Sequence, residues 1–192
     1  ADTAGNAIPD AWEDLDNDGT PDGLPVGGGE GEGEGEGEGE SVCTFADPAL
    51  EQAVRDALSK PAGPITIEDT EALTALLVAD SGITLLSGIE CLGNLSLLNL
   101  SYNDVTDLTP LAGMSALSDV RLIDNANLDD LAPLVDNPDF GVGDALNVTG
   151  IDFSQDACLH VEALRAAGVS VEDGGACAFE GEGEGEGGGE GE

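Results

Sequence analysis

An apolar pattern that returns every 22 residues occupies the middle of this chain, over residues 73–134. Its three copies begin at Leu73, Leu95 and Leu117, and the spacing gains one residue after Ile123. A fixed period of this length marks a repeat architecture, in which each unit buries its apolar face only by stacking on its neighbours. The chain is therefore expected to fold as a linear stack of similar coils rather than around one globular core.

The second copy, LSLLNLSYNDVTDLTPLAGMSA, meets the consensus L-x-x-L-x-L-x-x-N-x-Φ-x-x-L-x-x-L (Φ apolar) at every position. The first and third copies carry Ser81 and Asn125 where the second has Asn103. We identify this pattern as a leucine-rich repeat, and the fold class as α/β. The expected fold is a short leucine-rich repeat solenoid with parallel strands on its concave face, helical caps at both ends and disordered acidic tracts on either side.

The L-x-L pair of each repeat is expected to point inward from a short strand. These pairs are Leu76/Val78, Leu98/Leu100 and Val120/Leu122. Asn103 and Asn125 follow where the strand turns away, and a buried amide there can satisfy free backbone groups of the neighbouring turns. The prolines of Thr109–Leu111 and Ala132–Leu134 suit the convex turn, because that position donates no ladder hydrogen bond.

Composition divides the chain into four parts. They are an acidic stretch with a calcium-loop motif (1–29), a Gly-Glu linker (30–42), the leucine-rich repeat domain with its caps (43–178) and a second Gly-Glu linker (179–192). Within the domain the repeats are 73–94, 95–116, 117–139 and a degenerate 140–172. Alternating Gly and Glu offers no apolar residue to bury and its like charges repel, so both linkers are expected to be disordered.

Helices are expected at both ends of the array. Asp47 is the predicted N-cap of the first, Pro48 its first residue, and Leu50, Val54 and Leu58 its apolar face.

A second capping pair, Thr66 with Asp69, opens a short helix. The last helix is expected over Asp156–Ala167, with Leu159, Ala163 and Leu164 facing the core. Because a repeat array exposes apolar core at each end, we interpret these helices as caps.

The N-terminal helix, the 22-residue repeats and the D-L-x-P-L segments that begin at Asp107 and Asp130 resemble the leucine-rich domains of internalins and related bacterial surface proteins. The resemblance covers roughly residues 45–172. It implies a domain at the cell surface that binds a protein or glycan. Members of that family bind different partners, so the resemblance does not name one.

Four cysteines could form three different sets of two disulfides. Placing each on the expected architecture favours Cys43 with Cys91 across the N-terminal cap and Cys158 with Cys177 across the C-terminal cap. The alternative is four reduced thiols. Disulfides would indicate an extracellular or cell-surface location.

The formal net charge is −37, with only four Lys and Arg residues. A chain this acidic lacks the basic footprint that nucleic acid or an anionic membrane requires. No stretch approaches the roughly 18–20 apolar residues of a membrane span, so membrane insertion is not expected. The sequence opens on Ala1 and ends inside a Gly-Glu tract, which suggests a segment of a longer protein.

A calcium-loop motif, D-x-D-x-D-G-x-x-D, lies in the acidic N-terminal stretch. Its predicted Ca²⁺ ligands are Asp14, Asp16, Asp18, Thr20 and Asp22. Alternate oxygen ligands at this spacing suit Ca²⁺, and Gly19 permits the tight turn. Pro25 stands where an EF-hand has its bidentate Glu, so the stretch resembles the shorter loops of thrombospondin type 3 repeats. The alternative is a solvated acidic turn without metal.

The concave face is where the fold would place a ligand. The side chains expected to project from it are Leu77, Leu97, Asn99, Ser101, Asp119, Arg121, Ile123 and Asn147. Two exposed aliphatic residues beside one arginine resemble a small protein-binding hot spot. The alternative is that these are ordinary exposed strand residues.

We find no sequence signal for an enzyme. His160 is the only histidine, and no nucleophile with a base and an orienting group accompanies it. Two functions remain: a non-catalytic extracellular module that binds protein or glycan through its concave face, or a structural spacer whose joint calcium stiffens.

Overall fold

The folded part of the chain begins with a short antiparallel strand pair and two helices. The computed structural model describes residues 41–178, and its first elements are Val42–Cys43 (β1), Pro48–Leu58 (α1), Ile65–Thr66 (β2) and Ile67–Thr70 (α2). Strand β1 pairs antiparallel with β2, with Val42 opposite Thr66. Val42 therefore belongs to this sheet, although the predicted linker 30–42 includes it.

Helix α1 starts as its sequence predicts. The Asp47 carboxylate accepts hydrogen bonds from the backbone N–H groups of Ala49 (2.8 Å) and Leu50 (3.4 Å), and Pro48 occupies the first turn. Leu50 and Val54 are buried on the face that meets the repeats. An N-cap, a proline in the first turn and a single apolar face are sufficient to set this helix without any long-range signal.

The predicted capping pair of α2 is also present. The Thr66 hydroxyl accepts from the Asp69 N–H (3.2 Å), and the Asp69 carboxylate accepts from the Thr66 N–H (2.8 Å). Lys60 donates to the same carboxylate. The hydrogen bond from Lys60, followed by those from Thr66, lowers the pKa of Asp69 to about 2.

One parallel sheet runs through the remainder of the described residues. Its five strands pair in chain order and are Ala75–Leu77 (β3), Leu97–Asn99 (β4), Asp119–Arg121 (β5), Ala145–Asn147 (β6) and Ser170–Glu172 (β7). The 22-residue period sets the register of the first three, as Leu76 opposite Leu98 shows. The last two join at wider steps, with Asp119 opposite Ala145 and Ala145 opposite Ser170. This is an α/β leucine-rich repeat fold.

The core lies directly behind the sheet. The middle residue of each of the first four strands is buried, and so is the residue one position after each strand in the three repeats. The predicted inward pairs Leu76/Val78, Leu98/Leu100 and Val120/Leu122 are therefore confirmed. Stacking these leucines and valines removes their apolar surface from water, which is the main favourable term for a repeat of this kind.

Two asparagines form an internal hydrogen-bond ladder, as predicted. The Asn103 side chain accepts from the N–H groups of Ser81 and Ile83 (both 3.0 Å) and donates to the carbonyls of Val78 and Leu100 (both 2.8 Å). One amide thus satisfies four backbone groups in two coils.

Asn125 does the same one coil later. It accepts from the Val105 N–H (3.0 Å) and donates to the carbonyls of Leu100 (3.1 Å) and Leu122 (2.9 Å). The amide supplies both a donor and an acceptor, which is why asparagine suits this turn.

Three positions after the end of each parallel strand, the chain has a residue in the left-handed backbone conformation. These residues are Asp80 (φ 52°), Tyr102 (φ 60°), Asp124 (φ 53°), Gly150 (φ 83°) and Gly175 (φ 88°). We call the first three the strand-end rim. Glycine is needed at 150 for a second reason, because a Cβ there would lie 2.1 Å from a carboxylate oxygen of Asp124.

The convex side is made of short helical turns. They are the 3₁₀ turns Ile89–Cys91 and Thr109–Leu111 and the short helix Ala132–Val135 (α3). Asn137 is buried just after α3, where its side chain donates to the carbonyls of Leu111 and Met114 (both 3.1 Å).

The last helix, Gln155–Ala166 (α4), has its apolar face one residue away from the predicted one. Leu159 is 57% exposed and Ala163 is exposed, so the prediction that they face the core is wrong. Leu164 is buried as predicted, and Cys158 and Val161 are buried with it. A spacing of three residues keeps this set on one helical face, and Leu159 lies about 100° away from it.

Both favoured disulfides are present. Cys43 is bonded to Cys91 with a Cα–Cα distance of 5.9 Å, and Cys158 is bonded to Cys177 with a Cα–Cα distance of 5.3 Å. Each joins a helical segment at one end of the sheet to the chain beside it. Closing loops of 48 and 19 residues restricts the unfolded chain and stabilises the fold by on the order of 3–4 kcal/mol each.

Candidate binding face

The solvent-facing side of the parallel sheet, here called the concave face, carries two rows of side chains. One row is Ala75, Leu97, Asp119, Ala145 and Ser170, and the other is Leu77, Asn99, Arg121, Asn147 and Glu172. The register thus brings together six of the side chains predicted to project from this face. Those six are Leu77, Leu97, Asn99, Asp119, Arg121 and Asn147.

A recess of about 340 Å³ lies over strands β5 to β7. It is lined by Asp119, Arg121, Ile123, Ala145, Leu146, Asn147, Ser170 and Glu172. The predicted residues Asp119, Arg121, Ile123 and Asn147 meet here. The recess combines the apolar side chains of Ile123, Ala145 and Leu146 with carboxylate, guanidinium and amide groups.

Ion pairing fixes the polar groups of this recess. The Arg121 guanidinium donates twice to the Asp119 carboxylate, from Nε at 3.0 Å and from Nη2 at 2.7 Å. The hydrogen bonds and the charge of Asp119 raise the pKa of Arg121 above its ordinary value, and Glu172 adds to this through its charge. The Asn147 amide donates to the Glu172 carboxylate at 2.6 Å. The arginine is therefore held by Asp119, and Glu172 acts on it only through its charge.

Three predicted members of the site differ from expectation. Ser101 is only 3% exposed, so the prediction that it projects from the concave face is wrong. Strand β4 ends at Asn99, so the alternation of side chains along the strand no longer holds at Ser101, whose backbone N–H donates to the Asn99 side chain at 3.0 Å. Leu97 and Ile123 are half-buried rather than fully exposed.

Four lining residues were not predicted from the sequence. Ala145, Leu146, Ser170 and Glu172 belong to the site because β6 and β7 join the sheet outside the 22-residue period. The apolar pair Val169 and Val171 is a sequence signal for an extended segment, but it does not give the place of that segment in the sheet.

A second recess, of about 550 Å³, lies at the other end of the concave face between α1 and β3. It is lined by Ala53, Asp56, Ala57, Leu73, Ala75, Leu76, Leu77, Val78 and Ser81. Leu77 is 67% exposed beside it.

The basic residues of the chain are all engaged by its own carboxylates. Arg55 pairs with Glu51, Lys60 with Asp69, Arg121 with Asp119, and Arg165 with Glu162 and Asp173. These are the four Lys and Arg residues of the sequence. The surface of the domain therefore presents negative charge that it does not itself neutralise.

The predicted calcium ligands Asp14, Asp16, Asp18, Thr20 and Asp22 lie outside the described residues, as do most of both Gly-Glu tracts. The calcium loop remains a prediction from sequence. Within residues 41–178, no helix combines the length and the apolar character that a membrane crossing demands.

No protein-family model matches the sequence, and no curated protein matches it. Among solved structures, an internalin from Listeria monocytogenes matches with 26% sequence identity and a TM-score of 0.53, over 62% of this chain and 35% of that chain. The fold is internalin-like.

Internalin C2 from the same species matches at 25% identity and a TM-score of 0.45, over 67% of this chain and 66% of that one. The CBM51-2 and INT domains of ZmpB from Clostridium perfringens match at 32% identity and a TM-score of 0.38, over 44% of this chain and 19% of that one. The present chain thus spans from about a third to about two thirds of the length of these internalins.

Proposed function

We propose that the domain is a non-catalytic extracellular leucine-rich repeat module that binds a protein, or a glycan, through its concave face. The observation that carries the proposal is the recess over β5 to β7, where Arg121, Ile123 and Asn147 converge. Arginine is among the residues enriched in protein-binding hot spots, and the half-buried Ile123 adds apolar surface beside it. The internalin-like fold supports the same class of function.

The extracellular assignment is supported by the two disulfides. Disulfides form and persist in oxidising compartments and are rare in the reducing cytosol. Each lies at an end of the sheet, where a repeat array frays first. We infer that the helical segments that they tether act as the caps of the solenoid.

Changing the sign and polarity of the recess should abolish partner binding. The double substitution Arg121→Glu, Ile123→Asp is expected to reduce binding to an array of purified extracellular proteins and glycans by at least about tenfold, since hot-spot truncations cost about 2 kcal/mol or more. Binding of the labelled full chain is measured before and after the change. Leu159→Asp, the same apolar-to-acid change on the outer face of α4, should leave binding unaltered.

The milder double variant Arg121→Ala, Ile123→Ser is tested in parallel, in case the first variant fails to fold. Circular dichroism of both variants shows whether they are folded. If both double variants bind the array as the parent chain does, the concave face is not the binding site. A parent chain that binds nothing on the array would favour the second function, a structural spacer. The disulfides at both ends support that alternative, because they stiffen a domain that carries load between two linkers.

We further propose that the N-terminal loop binds Ca²⁺ through Asp14, Asp16, Asp18, Thr20 and Asp22. The alternate oxygen ligands and the turn glycine support this assignment. The ligand set lacks a bidentate carboxylate, so the expected dissociation constant is on the order of 0.1–1 mM.

Calorimetry on the full chain tests the calcium proposal. The variant Asp16→Asn, Asp18→Asn should lose the saturable heat of Ca²⁺ binding. The matched variant Glu34→Gln, Glu36→Gln removes the same charge from the Gly-Glu tract and should retain it. If the parent chain shows no saturable heat at millimolar Ca²⁺, the calcium-binding proposal is wrong.

A further inference from the structure

The strand-end rim contains one residue whose backbone conformation does not suit its side chain. In the left-handed region the Cβ of an L-residue crowds the following carbonyl, and Gly, Asn and Asp tolerate this best. Four of the five equivalent positions carry Asp or Gly. Tyr102, at φ 60°, is the exception.

Backbone pairing shows that the three rim residues occupy successive coils. The N–H of Asp80 donates to the carbonyl of Ser101 (3.0 Å), and the N–H of Tyr102 donates to the carbonyl of Ile123 (2.7 Å). The N–H of Asp124 continues the ladder to Thr149 (3.0 Å). Coils paired in this way are about 4.8 Å apart, so Tyr102 stands between the two aspartates.

Core packing does not account for the tyrosine. Tyr102 is 55% exposed, whereas its neighbours Ser101 and Asn103 are buried. An exposed ring returns little burial energy to offset the strained backbone that carries it. Strain that persists without a packing reason points to a contact made outside the domain.

The chemistry of the rim selects a cation. An aromatic face attracts a Lys or Arg side chain, and a carboxylate on either side adds charge complementarity. Within residues 41–178 neither Asp80 nor Asp124 takes part in an ion pair, and the four Lys and Arg residues are committed elsewhere. Both aspartates are exposed, so their carboxylates are open to a cation from another molecule.

We propose that Tyr102, with Asp80 and Asp124 beside it, binds a lysine or arginine side chain of a protein partner. The proposal rests on the proposed function that the domain binds protein, and it names one chemical feature of that protein. The rim adjoins the concave face through Ile123, whose carbonyl accepts from Tyr102. A partner seated on the face could therefore reach the rim with one basic side chain.

The chain contains a single tyrosine, which makes a direct test available. The full chain, with its tyrosine ring labelled for NMR, is titrated with a twelve-residue peptide of alternating Lys and Gly. The ring signal is expected to shift saturably. The same peptide with every lysine acetylated should leave the signal in place, because acetylation removes the positive charge.

Substitutions of Tyr102 distinguish a role in peptide binding from a role in stability. Tyr102→Asn removes the ring but tolerates the left-handed backbone, so it should weaken binding of the fluorescent lysine peptide at least about fivefold. The same variant should raise the thermal midpoint by about 2–4 °C, because it relieves strain. Tyr102→Phe should leave both quantities unchanged. A residue with a merely structural role would lower the midpoint when replaced.

The carboxylates have their own matched control. Asp80→Asn and Asp124→Asn should each weaken peptide binding about two- to threefold at low salt, since exposed charge pairs contribute little individually. Asp136→Asn removes the same charge at the end of α3 and should have no effect.

Three outcomes would overturn the proposal. In the first, the peptide binds the parent chain and Tyr102→Asn equally and leaves the ring signal unmoved, which places binding on the acidic tracts alone. In the second, neutral oligosaccharides shift the ring signal and the lysine peptide does not. If Tyr102→Asn retains binding to the array of extracellular proteins that Arg121→Glu, Ile123→Asp abolishes, the rim proposal fails and the concave-face function stands.

Discussion

Replacing Asn103 by aspartate is expected to lower the free energy of unfolding by about 3–5 kcal/mol at neutral pH, because it leaves an uncompensated charge in a buried ladder. The native amide donates to the carbonyls of Val78, Leu100 and Ser101. A carboxylate can donate to none of them and would face three carbonyl oxygens. The site is buried, so water can supply little of the missing hydrogen bonding.

Urea denaturation followed by circular dichroism measures this loss. The loss should shrink in acid, because a carboxyl whose ionised form is disfavoured in the folded state takes up a proton at a raised pKa. Asn99→Asp is the matched control: the Asn99 side chain only accepts, from the Ser101 N–H, and a carboxylate can accept equally well. It should change the free energy by less than about 1 kcal/mol. Equal effects at the two positions would contradict the role assigned to the ladder.

Replacing Asp47 by alanine should cost about 3–4 kcal/mol, because it leaves several backbone donors at a buried site without an acceptor. One carboxylate oxygen caps α1 through Ala49 and Leu50. The other accepts from the N–H groups of Thr84 (2.8 Å) and Leu85 (3.1 Å) in the first repeat. Asp47 is 5% exposed, so the substitution removes both the helix cap and the contact that holds the helix on the repeats.

The same residue makes the stability pH-dependent in a defined direction. Burial raises the pKa of Asp47, but the N–H groups of Thr84 and Leu85 and of the helix N-terminus outweigh it and hold the pKa below its ordinary 3.8. The stabilisation by this carboxylate is therefore complete above about pH 4 and is lost as the pH falls through the lower folded-state value. Asp47→Ala should show a weaker acid loss than the parent chain.

The control for Asp47 is Asp107→Ala. Its carboxylate accepts from the Thr109 N–H at 2.8 Å on an exposed turn, where water can replace it. Thermal unfolding should show a loss of about 1 kcal/mol or less there. If Asp47→Ala is equally mild, the helix is not anchored to the repeats through its N-cap.

Local sequence signals predicted the regular parts of this fold well. The 22-residue period set the register of β3 to β5, because identical coils can stack only in one register without exposing leucine. Capping residues predicted the starts of α1 and α2 for a similar reason: the groups that they satisfy lie within three residues. The disulfide pairs followed once the ends of the array were placed.

Features that depend on neighbours distant in sequence escaped prediction. Strand β7 joins the sheet 25 residues after β6, through a helix that breaks the period. Glu172 therefore reaches Asn147, and the recess acquires a second carboxylate that the repeat pattern could not reveal. The face of α4 was misjudged for a related reason, since the disulfide at Cys158 and the packing of Val161 decide which side turns inward.

The sequence alone determined that this chain forms a leucine-rich repeat, where the strands of the 22-residue repeats begin and which leucines of those repeats are buried, because those choices depend on a periodic apolar pattern. Tertiary structure decided what the surface offers. Ser101 is buried, Arg121 is held by Asp119, and Tyr102 keeps a left-handed backbone at an exposed rim. Such properties arise only when separate coils are brought to within a strand spacing of each other, where side chains compete for the same space and charge.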